Sequence, residues 1–572
     1  MKISYIIPMT RQTGIRLIDG NCAQRYLSNT IESVINQSID DWELIVVIEK
    51  SYLKKVTAIL DQVIASSIAL SGLSQNVIKK KISFKLSNSK NSAAACNVGL
   101  QNSKGKFICI IQAGDILASY ASYALYECLI KNPNVQFIYS DHDYIDLNGI
   151  RFNPFSKPDL SLDLLYCQNY VQNLVAINRT LIKKLGGYET KYFAAYDYAI
   201  NLKAIGRLLQ LQSGKSLKHP KDQSIKHLSQ ILCHRRVNLK INPKSKKIND
   251  VRPNTNDETI QSKQGLSIIK SFFKSQGKSV TVKQIKPNLY RPIWKIPKPN
   301  PLVTLIIPNR DNYQTLRTCV ESILQNTTYR NFEILIVDNQ SKETSTLNYM
   351  KRLENEYSNV KTIKYNKPFN YSAINNFAAK KAKGEILGLI NNDTEVITPT
   401  WLTEMVSHAI RPEVGCVGAM LYYPDRIIQH AGVHVTINGA LDHAFKGFPN
   451  TPENDYFNYL KSNTNPIAVT AAALLVRKDL FLKVGGFDEK NLKIAFNDVD
   501  LCLKLRDISK LNVQLSHVEL IHHESKSRAS DGLNSKYMRN EKELIYLRCK
   551  WSHFFKAITH GAQAHVAHRK HF

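Results

Sequence analysis

The chain carries the same series of sequence landmarks twice, and this repetition constrains its fold more than any other feature. Ile6-Ile7-Pro8 recurs about 300 positions later as Ile306-Ile307-Pro308. Leu185-Gly186-Gly187-Tyr188 recurs at a similar distance as Val484-Gly485-Gly486-Phe487. Because the landmarks keep their order and spacing, they indicate a tandem duplication. We therefore expect two domains of one fold.

Each copy begins with an apolar strand pattern that ends in proline, over 3–8 and 303–308. An amphipathic helix pattern follows, over 26–37 and 315–325, and a second apolar strand pattern comes next. Alternating strands and helices predict an α/β fold in which right-handed crossovers join a mostly parallel, Rossmann-like sheet. Such sheets bind ligands at the carboxyl ends of their strands, so functional residues are expected directly after each strand.

The bulk composition limits the classes of protein to which the chain can belong. Hydrophobic residues make up 43% of its 572 positions, which excludes global disorder. The net charge of +30 suits an anionic membrane face, a phosphorylated substrate or a nucleic acid. The basic residues are scattered, without an arginine-rich arm or zinc-finger spacing, and we therefore expect no nucleic-acid partner.

Cysteine usage and the length of apolar runs bear on where the protein works. The ten cysteines form no CxxC pair, and most lie within apolar runs, as Cys109 does. This pattern is typical of reduced, buried thiols in a cytoplasmic protein. The chain opens on a strand pattern rather than a signal peptide, and no run reaches the roughly 18 apolar residues that span a bilayer. Any membrane association is therefore expected to be peripheral.

Shifts in composition divide the chain into four segments. The first copy is expected over 1–245 and the second over 301–530. Between them, 246–300 combines one helix pattern, over 262–275, with several prolines, which is typical of a semi-rigid linker. The tail, 531–572, has the spacing of an amphipathic helix that packs on the second domain or lies on a membrane.

Two carboxylates of the second copy follow strand patterns. Asp338 ends one of them, where it can accept hydrogen bonds from a ribose or a base edge; Asp338-Asn339 is also a common turn sequence. Asn391-Asn392-Asp393 ends the next strand pattern. One carboxylate beside an amide suits Mg²⁺ or Mn²⁺, and it equally suits a plain exit from strand to turn.

A third carboxylate and a histidine pair complete the set. Asp498 stands at the predicted start of a helix, where it can cap free N–H groups or act as a general base. His522 and His523 follow another strand pattern, and a neutral imidazole there can complete a metal site. A histidine at the end of a strand is more often structural.

In their order and spacing these residues resemble the family 2 inverting glycosyltransferases of the GT-A fold, over about 301–528. The resemblance implies two tandem GT-A domains. It implies Asp498 as the base and Asp393 with His522, or His523 in its place, as ligands of a divalent metal, Mn²⁺ or Mg²⁺. It implies these donor-binding residues: Pro308, Asn309, Arg310, Asp338, Asn391 and Asn392. The family's DxD element would here begin with Asn instead of Asp.

The resemblance also implies a reaction and its partners. A hexosyl or deoxyhexosyl group would pass from a nucleotide sugar to a hydroxyl of a glycan or lipid-linked acceptor, in a metal-dependent single displacement. The run 523–528 is similar to tandem-domain members in bacterial surface-polysaccharide pathways, such as those of O-antigen, lipopolysaccharide and capsule. The implied location is the cytoplasm, with a peripheral position at the inner face of the plasma membrane left open.

The first copy resembles the same family but lacks two of the carboxylates. When the copies are aligned, Ile48 matches Asp338 and Gly114 matches Asp393. An apolar isoleucine cannot replace the hydrogen bonds of a carboxylate to a nucleotide. This difference favours a weakened or lost donor and metal site in the first copy.

Other residues of the first copy keep its activity open. Asp197 matches the proposed base, and His234 resembles the late histidine of the family. Glu49 and Asp115 each lie one residue from a lost carboxylate and are candidate substitutes. A chain with two active domains, extending a polysaccharide with two activities, is therefore the alternative to a chain with one.

Two unrelated functions compete with sugar transfer. A nucleotidyltransferase is also α/β and metal-dependent, but it would normally carry a glycine-rich phosphate loop after the first strand, and 308–311 is not one. A basic nucleic-acid-binding protein is suggested by charge alone.

Overall fold

The computed structural model describes residues 2–10, 21–71, 75–212, 224–237, 255–435, 440–524 and 533–558. The chain divides into two compact units, each of which is discontinuous in sequence. The first comprises Met1–Leu160, Gln168–Lys278 and Val282–Tyr290, and the second comprises Ser161–Cys167, Ser279–Thr281 and Arg291–Phe572.

Nine strands form the sheet of the first unit: β1 Ile3–Met9, β2 Trp42–Glu49, β3 Ile82–Ser87, β4 Phe107–Ile110, β5 Ile116–Leu117, β6 Phe137–Ile145, β7 Arg151–Phe155, β8 Val175–Asn178 and β9 Ile225–Arg236. The helices up to the linker are α1 Asn21–Ile35, α2 Leu53–Ser71, α3 Gln75–Lys81, α4 Ser92–Asn102, α5 Ala121–Lys131, α6 Leu162–Cys167, α7 Arg179–Lys184, α8 Tyr196–Gln212 and α9 Thr255–Ser275. Of these, α6 belongs to the second unit. The strands β10 Val280–Lys286 and β11 Leu289–Trp294 pair in a separate hairpin.

The strands from the second copy are β12 Val303–Asn309, β13 Phe332–Asp338, β14 Val360–Lys364, β15 Ile386–Ile390, β16 Thr394–Val396, β17 Val414–Tyr422, β18 Ile428–His430, β19 Val433–Val435, β20 Leu441–His443, β21 Ala473–Arg477 and β22 Leu511–His522. The helices are α10 Tyr313–Asn326, α11 Thr344–Glu356, α12 Tyr371–Lys381, α13 Trp401–Ala409, α14 Lys478–Lys483, α15 Asn497–Asp507, α16 Leu533–Lys550 and α17 Ser552–Ile558.

The two large sheets have the same strand order, which confirms the predicted pair of tandem GT-A domains. The first runs β3-β2-β1-β4-β8-β6-β9-β5 and the second runs β14-β13-β12-β15-β21-β17-β22-β16. In each, the first four strands are parallel, and β8 or β21 then runs antiparallel to both its neighbours. The sheets are therefore mixed beyond their parallel half.

Close packing of the parallel strands explains part of the sequence pattern. The strands β12 and β15 are buried along nearly their whole length, since helices cover both faces of the sheet. Gly388 of β15 lies against Leu305 of β12, and a Cβ atom at this glycine would stand 2.6 Å from the leucine Cδ2 atom. Only glycine allows this approach.

Two segments differ from the patterns predicted for them. The segment expected as a proline-rich spacer contains the β10-β11 hairpin, in which Val282 of β10 and Tyr290 of β11 are buried. The tail helix is split into α16 and α17, and it buries Leu547 and Trp551 in the core of the second unit. Among the described residues, no helix has the length and apolarity needed to cross a membrane.

Candidate active site

A cavity of about 260 Å³ lies in the second unit where β15 and β22 end and α15 begins. Its polar lining includes Tyr371, Asn391, Gln429, His443, Lys446, Thr470, Asn497, Asp498, His522 and Glu524. Three of these, Asn391, Asp498 and His522, are candidates from the sequence, and Asn497 and Glu524 lie beside them in the chain. The other five come from segments for which the sequence predicts no site residue.

Asp498 is fixed at the start of α15 with its carboxylate at the cavity. Its Oδ1 atom accepts the N–H of Val499 at 2.8 Å, and its Oδ2 atom accepts the N–H of Ala471 at 3.0 Å. Phe496, just before the helix, has a left-handed backbone (φ 57°) that turns the chain into it. The carboxylate is thus held by two backbone bonds, and its other lone pairs remain available to a ligand. Asp498 can therefore bond the backbone N–H groups at the start of the helix and still act as a general base.

The loop before Asp498 is held by the tail helix. Glu543 of α16 is buried, and its carboxylate accepts the backbone N–H groups of Lys493, Ile494 and Ala495 at 3.1, 3.3 and 2.6 Å. Ile494 and Ala495 line the cavity. The wall next to the proposed base therefore depends on a residue far along the chain, which no local sequence pattern indicates.

Asp393 and His522 meet beside the cavity. Asp393 is buried between β15 and β16, and its Oδ1 atom lies 3.1 Å from Nε2 of His522 at the end of β22. His523 takes a different direction, with its Nε2 atom 2.9 Å from Glu395. Of the two histidines considered from sequence, the structure thus places His522 with Asp393.

The tautomer of His522 follows from its other contacts. Gln429 donates its amide N–H group to the His522 carbonyl and to Glu524, both at 3.3 Å, so its Oε1 atom faces the imidazole. That oxygen lies 2.6 Å from Nδ1 of His522, which therefore carries the hydrogen. The Nε2 atom then carries the lone pair: it accepts the side-chain N–H of Asn391 at 3.3 Å and stands beside the Asp393 carboxylate, where one cation can bind both groups.

The donor set fits a divalent cation that takes most of its ligands from elsewhere. Within the described ranges there is no group of three or more His, Cys, Asp or Glu residues that could hold a metal ion. Asp393 supplies one carboxylate, and His522 supplies one imidazole nitrogen. Mg²⁺ and Mn²⁺ commonly take their remaining oxygens from substrate phosphates and water.

The predicted donor-binding residues lie at the adjoining strand ends. Asn309 of β12 pairs in register with Asp338 of β13, and its Oδ1 atom accepts a 2.7 Å hydrogen bond from Asn392. Asp338 is buried and accepts the N–H of Ser341 at 3.0 Å. Together they link the two strand ends to the loop that carries Asp393.

The two other predicted donor-loop residues are less enclosed. Pro308 is half-buried near the end of β12, and Arg310, directly after the strand, is exposed. The guanidinium of Arg310 has a distant ion pair, 4.0 Å, with Asp311. It is therefore open to an anionic ligand from solvent.

The strand register of the two units corrects the alignment of loop 112–115 with loop 391–393. Thr394 pairs with His522 in the second unit, and Ile116 pairs with His234 in the first. The residue directly before Thr394 is Asp393, and the residue directly before Ile116 is Asp115. Asp115, rather than Gly114, thus occupies the place of Asp393. The first copy has one extra residue in this loop, 112–115 against 391–393, which hides the match from an ungapped alignment.

The surroundings of Asp115 differ from those of Asp393. Its Oδ1 atom accepts the backbone N–H of Arg236 at 3.1 Å, and burial raises its pKa to about 6 against the opposing charge of Arg235. His234 bonds Asp143 instead, with 2.6 Å between Nδ1 and Oδ1. The pairing of carboxylate and imidazole seen in the second unit is therefore not repeated here.

The remaining candidates of the first unit are also engaged. The register of β1 with β2 places fully buried Ile48 where the second unit has Asp338, as the alignment predicts. Glu49 is buried next to it and accepts a 2.9 Å bond from Ser51. Asp197 begins α8 and accepts a 2.8 Å bond from Asn169, and burial raises its pKa.

Comparison with known proteins shows the family to which the chain is similar. The model of the family described as "Glycosyl transferase family 2" matches residues 21–180 and 304–480. An uncharacterized protein, y4gI, of Sinorhizobium fredii is 35% identical over 526 residues, which cover 92% of this chain and 54% of the relative. The O-antigen biosynthesis protein RfbC of Myxococcus xanthus is 31% identical over 515 residues, 90% of this chain and 37% of the relative.

A smaller relative matches part of the chain. The N-acetylglucosaminyl-diphospho-decaprenol L-rhamnosyltransferase of Mycobacterium tuberculosis is 25% identical over 250 residues, 40% of this chain and 79% of that enzyme. The chain spans about half the length, or less, of the two longer relatives, at 54% and 37%.

Proposed function

The chain belongs to glycosyl transferase family 2, and from this membership we propose that its second unit transfers a hexosyl or deoxyhexosyl group from a nucleotide sugar to an acceptor hydroxyl. The observation that carries the proposal is the carboxylate of Asp498, fixed by two backbone bonds at a cavity that His522 also lines. The carboxylate of Asp393 stands beside that imidazole.

The proposed reaction is a single displacement. Asp498 accepts the proton of the acceptor hydroxyl as that oxygen attacks the anomeric carbon. The bond from this carbon to the nucleoside diphosphate breaks on the opposite face, so the configuration inverts. Asp498 alone serves as the base, because only one proton has to leave the acceptor hydroxyl.

Asp393 and His522 would hold the divalent ion, and Gln429 would keep the imidazole in the required tautomer. A bound Mn²⁺ or Mg²⁺ would stabilise the negative charge of the departing diphosphate. Asp338 would bind the nucleoside and Arg310 the phosphates, since one is a buried acceptor and the other an exposed donor at the same sheet edge.

For the first unit we propose a lost donor and metal site. Ile48 is buried where a nucleoside-binding carboxylate would stand, and Asp115 bonds the backbone of Arg236 rather than facing the late histidine. The alternative is a second active domain with Asp197 as its base.

The acceptor is proposed to be a growing, lipid-linked surface polysaccharide. Support comes from the names of two relatives, an O-antigen biosynthesis protein and a transferase to a diphospho-decaprenol acceptor. A cytoplasmic, peripheral position at the inner face of the membrane would bring the enzyme to such an acceptor, and the net charge of +30 favours an anionic membrane face.

One pair of full-length variants tests the base and the role of the first unit. Asp498→Asn is expected to abolish transfer while nucleotide-sugar binding, followed as a rise in melting temperature with MnCl₂, is retained. Asp197→Asn is expected to keep most of the transfer activity. Full activity of Asp498→Asn would refute the assigned base, and loss of one of two products in Asp197→Asn would establish the two-activity alternative.

A further inference from the structure

Two histidines outside the proposed base and metal pair form a hydrogen-bonded chain that ends at the cavity. His430 is fully buried at the end of β18, and its Nε2 atom accepts the backbone N–H of Thr470 at 3.3 Å. Its Nδ1 atom lies 3.0 Å from Nδ1 of His443 at the end of β20. His443 lines the cavity together with Asp498.

The backbone bond sets the hydrogen positions of both rings. Because Nε2 of His430 accepts a hydrogen bond, a neutral His430 carries its hydrogen on Nδ1 and donates it to Nδ1 of His443. A neutral His443 must then carry its own hydrogen on Nε2. The other end of its ring is thus a hydrogen-bond donor.

The hydrogen bonds of His430 and His443 disfavour a positive charge on either ring. A doubly protonated His443 would need an acceptor at Nδ1 of His430, whose other nitrogen already accepts from Thr470. Burial, the largest cause, lowers the pKa of His430 well below its usual range and also lowers the pKa of His443. A neutral N–H donor of this kind can bind the uncharged oxygen of a hydroxyl group.

We infer that the Nε2–H group of His443 binds a hydroxyl of the acceptor sugar beside Asp498, and that His430 is the residue that positions it. This inference rests on the proposed function, because Asp498 there receives the proton of the acceptor. The proposed nucleotide-binding Asn309 and Asp338 are not part of the cavity lining, whereas Asn391 and His522, proposed for the donor and its metal ion, line it together with Asp498 and His443. The apolar side chain of Leu441 lines the cavity from the same strand as His443, where it can cover the apolar face of a sugar ring.

The test uses the full-length protein with MnCl₂, nucleoside diphosphates (UDP, GDP and dTDP) and methyl glycosides of glucose, galactose, mannose, rhamnose and N-acetylglucosamine. Saturation-transfer NMR measures glycoside binding, and the change in melting temperature measures nucleotide binding. We expect His443→Phe to weaken glycoside binding roughly tenfold while the nucleotide effect stays at the wild-type value. We expect His443→Gln, which keeps a donor, to bind the glycosides more tightly than His443→Phe. If His443→Phe fails to fold, His443→Ala replaces it in the same comparison.

Wild-type glycoside binding in His443→Phe would overturn the inference and leave the proposed function standing. So would a wild-type protein that binds nucleotide but none of the glycosides. If His443→Phe instead loses only the extra stabilisation of a nucleotide sugar over its nucleoside diphosphate, the donor sugar is the ligand and the inference is wrong. A wild-type protein that responds to no nucleotide or nucleotide sugar would refute the proposed function itself.

Discussion

The Nε2 atom of His522 lies 3.1 Å from the Oδ1 atom of Asp393, and the hydrogen bond from Nδ1 to Gln429 leaves Nε2 as an acceptor. The two atoms can bind one cation together if that cation displaces the 3.3 Å hydrogen bond from Asn391 to Nε2. The neighbouring residue, His523, is bonded to Glu395 instead. The adjacent histidines therefore form a matched pair for experiment.

His522→Ala should weaken the Mn²⁺-dependent binding of nucleoside diphosphate by at least about tenfold, because the cation loses one of its two protein ligands. His523→Ala should bind with nearly wild-type affinity. Titration calorimetry with and without MnCl₂ measures both. Equal losses in the two variants would contradict the placement of the ion at Asp393.

Asp115→Asn should change how the stability of the first unit depends on pH. Burial raises the pKa of Asp115 from 3.8 to about 6, so its stabilising contribution is fully present below about pH 3.8 and is lost as the pH rises through about 6. An asparagine stays neutral and avoids that loss. Relative to wild type, the variant should gain about 2 to 3 kcal/mol between pH 4 and pH 7.

Scanning calorimetry at a series of pH values checks this expectation. As the pH rises, the melting temperature of the first unit should fall more in the wild-type protein than in the variant. Parallel profiles would show that Asp115 is ionised across this range, as a working metal ligand would be.

Glu543→Gln should lower the turnover number while the affinity for nucleotide stays unchanged. Gln presents one acceptor oxygen where the carboxylate presents two, so at least one amide of 493–495 loses its partner, at a cost of about 1–3 kcal/mol. The loop that leads to Asp498 then loses its fixed position. Glu541→Gln, two residues away and exposed, is the control. An unchanged turnover number in Glu543→Gln would show that the loop holds its position without this contact.

Asp163→Ala should destabilise the second unit by about 1–3 kcal/mol, because the buried guanidinium of Arg411 loses its two hydrogen bonds to Asp163 and keeps Glu413 as its remaining carboxylate partner. Arg411 is 3% exposed, and its Nη1 atom lies 2.6 Å from Asp163. Asp479→Ala, which breaks the exposed pair with Arg477, should cost less than about 1 kcal/mol.

The double variant Asp163→Ala with Arg411→Met completes this comparison. Removing both charges should recover part of the lost stability, since the buried guanidinium is gone and the carboxylate of Glu413 that it leaves is partly exposed to solvent. Chemical denaturation of the three variants and the wild type measures the differences. If the double variant is no more stable than Asp163→Ala, the stability lost in Asp163→Ala comes from packing and not from charge.

Local patterns were sufficient to predict the duplication, the strand-helix alternation and the positions of the candidate residues relative to strands and helices. Asp338, Asp393 and Asp498 stand near the edge of the sheet at which a parallel sheet binds its ligands. The strand or helix pattern directly beside each residue in the sequence is sufficient to predict that position. The extra loop residue before Asp115 was not visible, because only the ladder with β9 shows which residue takes the place of Asp393.

Other parts of the site depend on contacts between distant segments. Gln429, His443 and Glu543 reach the cavity or its wall from three separate regions, and none stands in a pattern that indicates its partner. The antiparallel course of β21 was likewise not predicted, since a short apolar strand reads the same in either direction.

The discontinuity of the second unit has a consequence for how the duplicated gene can evolve. Helix α6 is encoded within the first repeat, yet its Asp163 neutralises Arg411 of the second unit. A gene fission at the repeat boundary would separate Arg411 from Asp163 and leave its buried guanidinium with Glu413 as its carboxylate partner. Such a fission would therefore destabilise the second unit unless Arg411 were replaced as well.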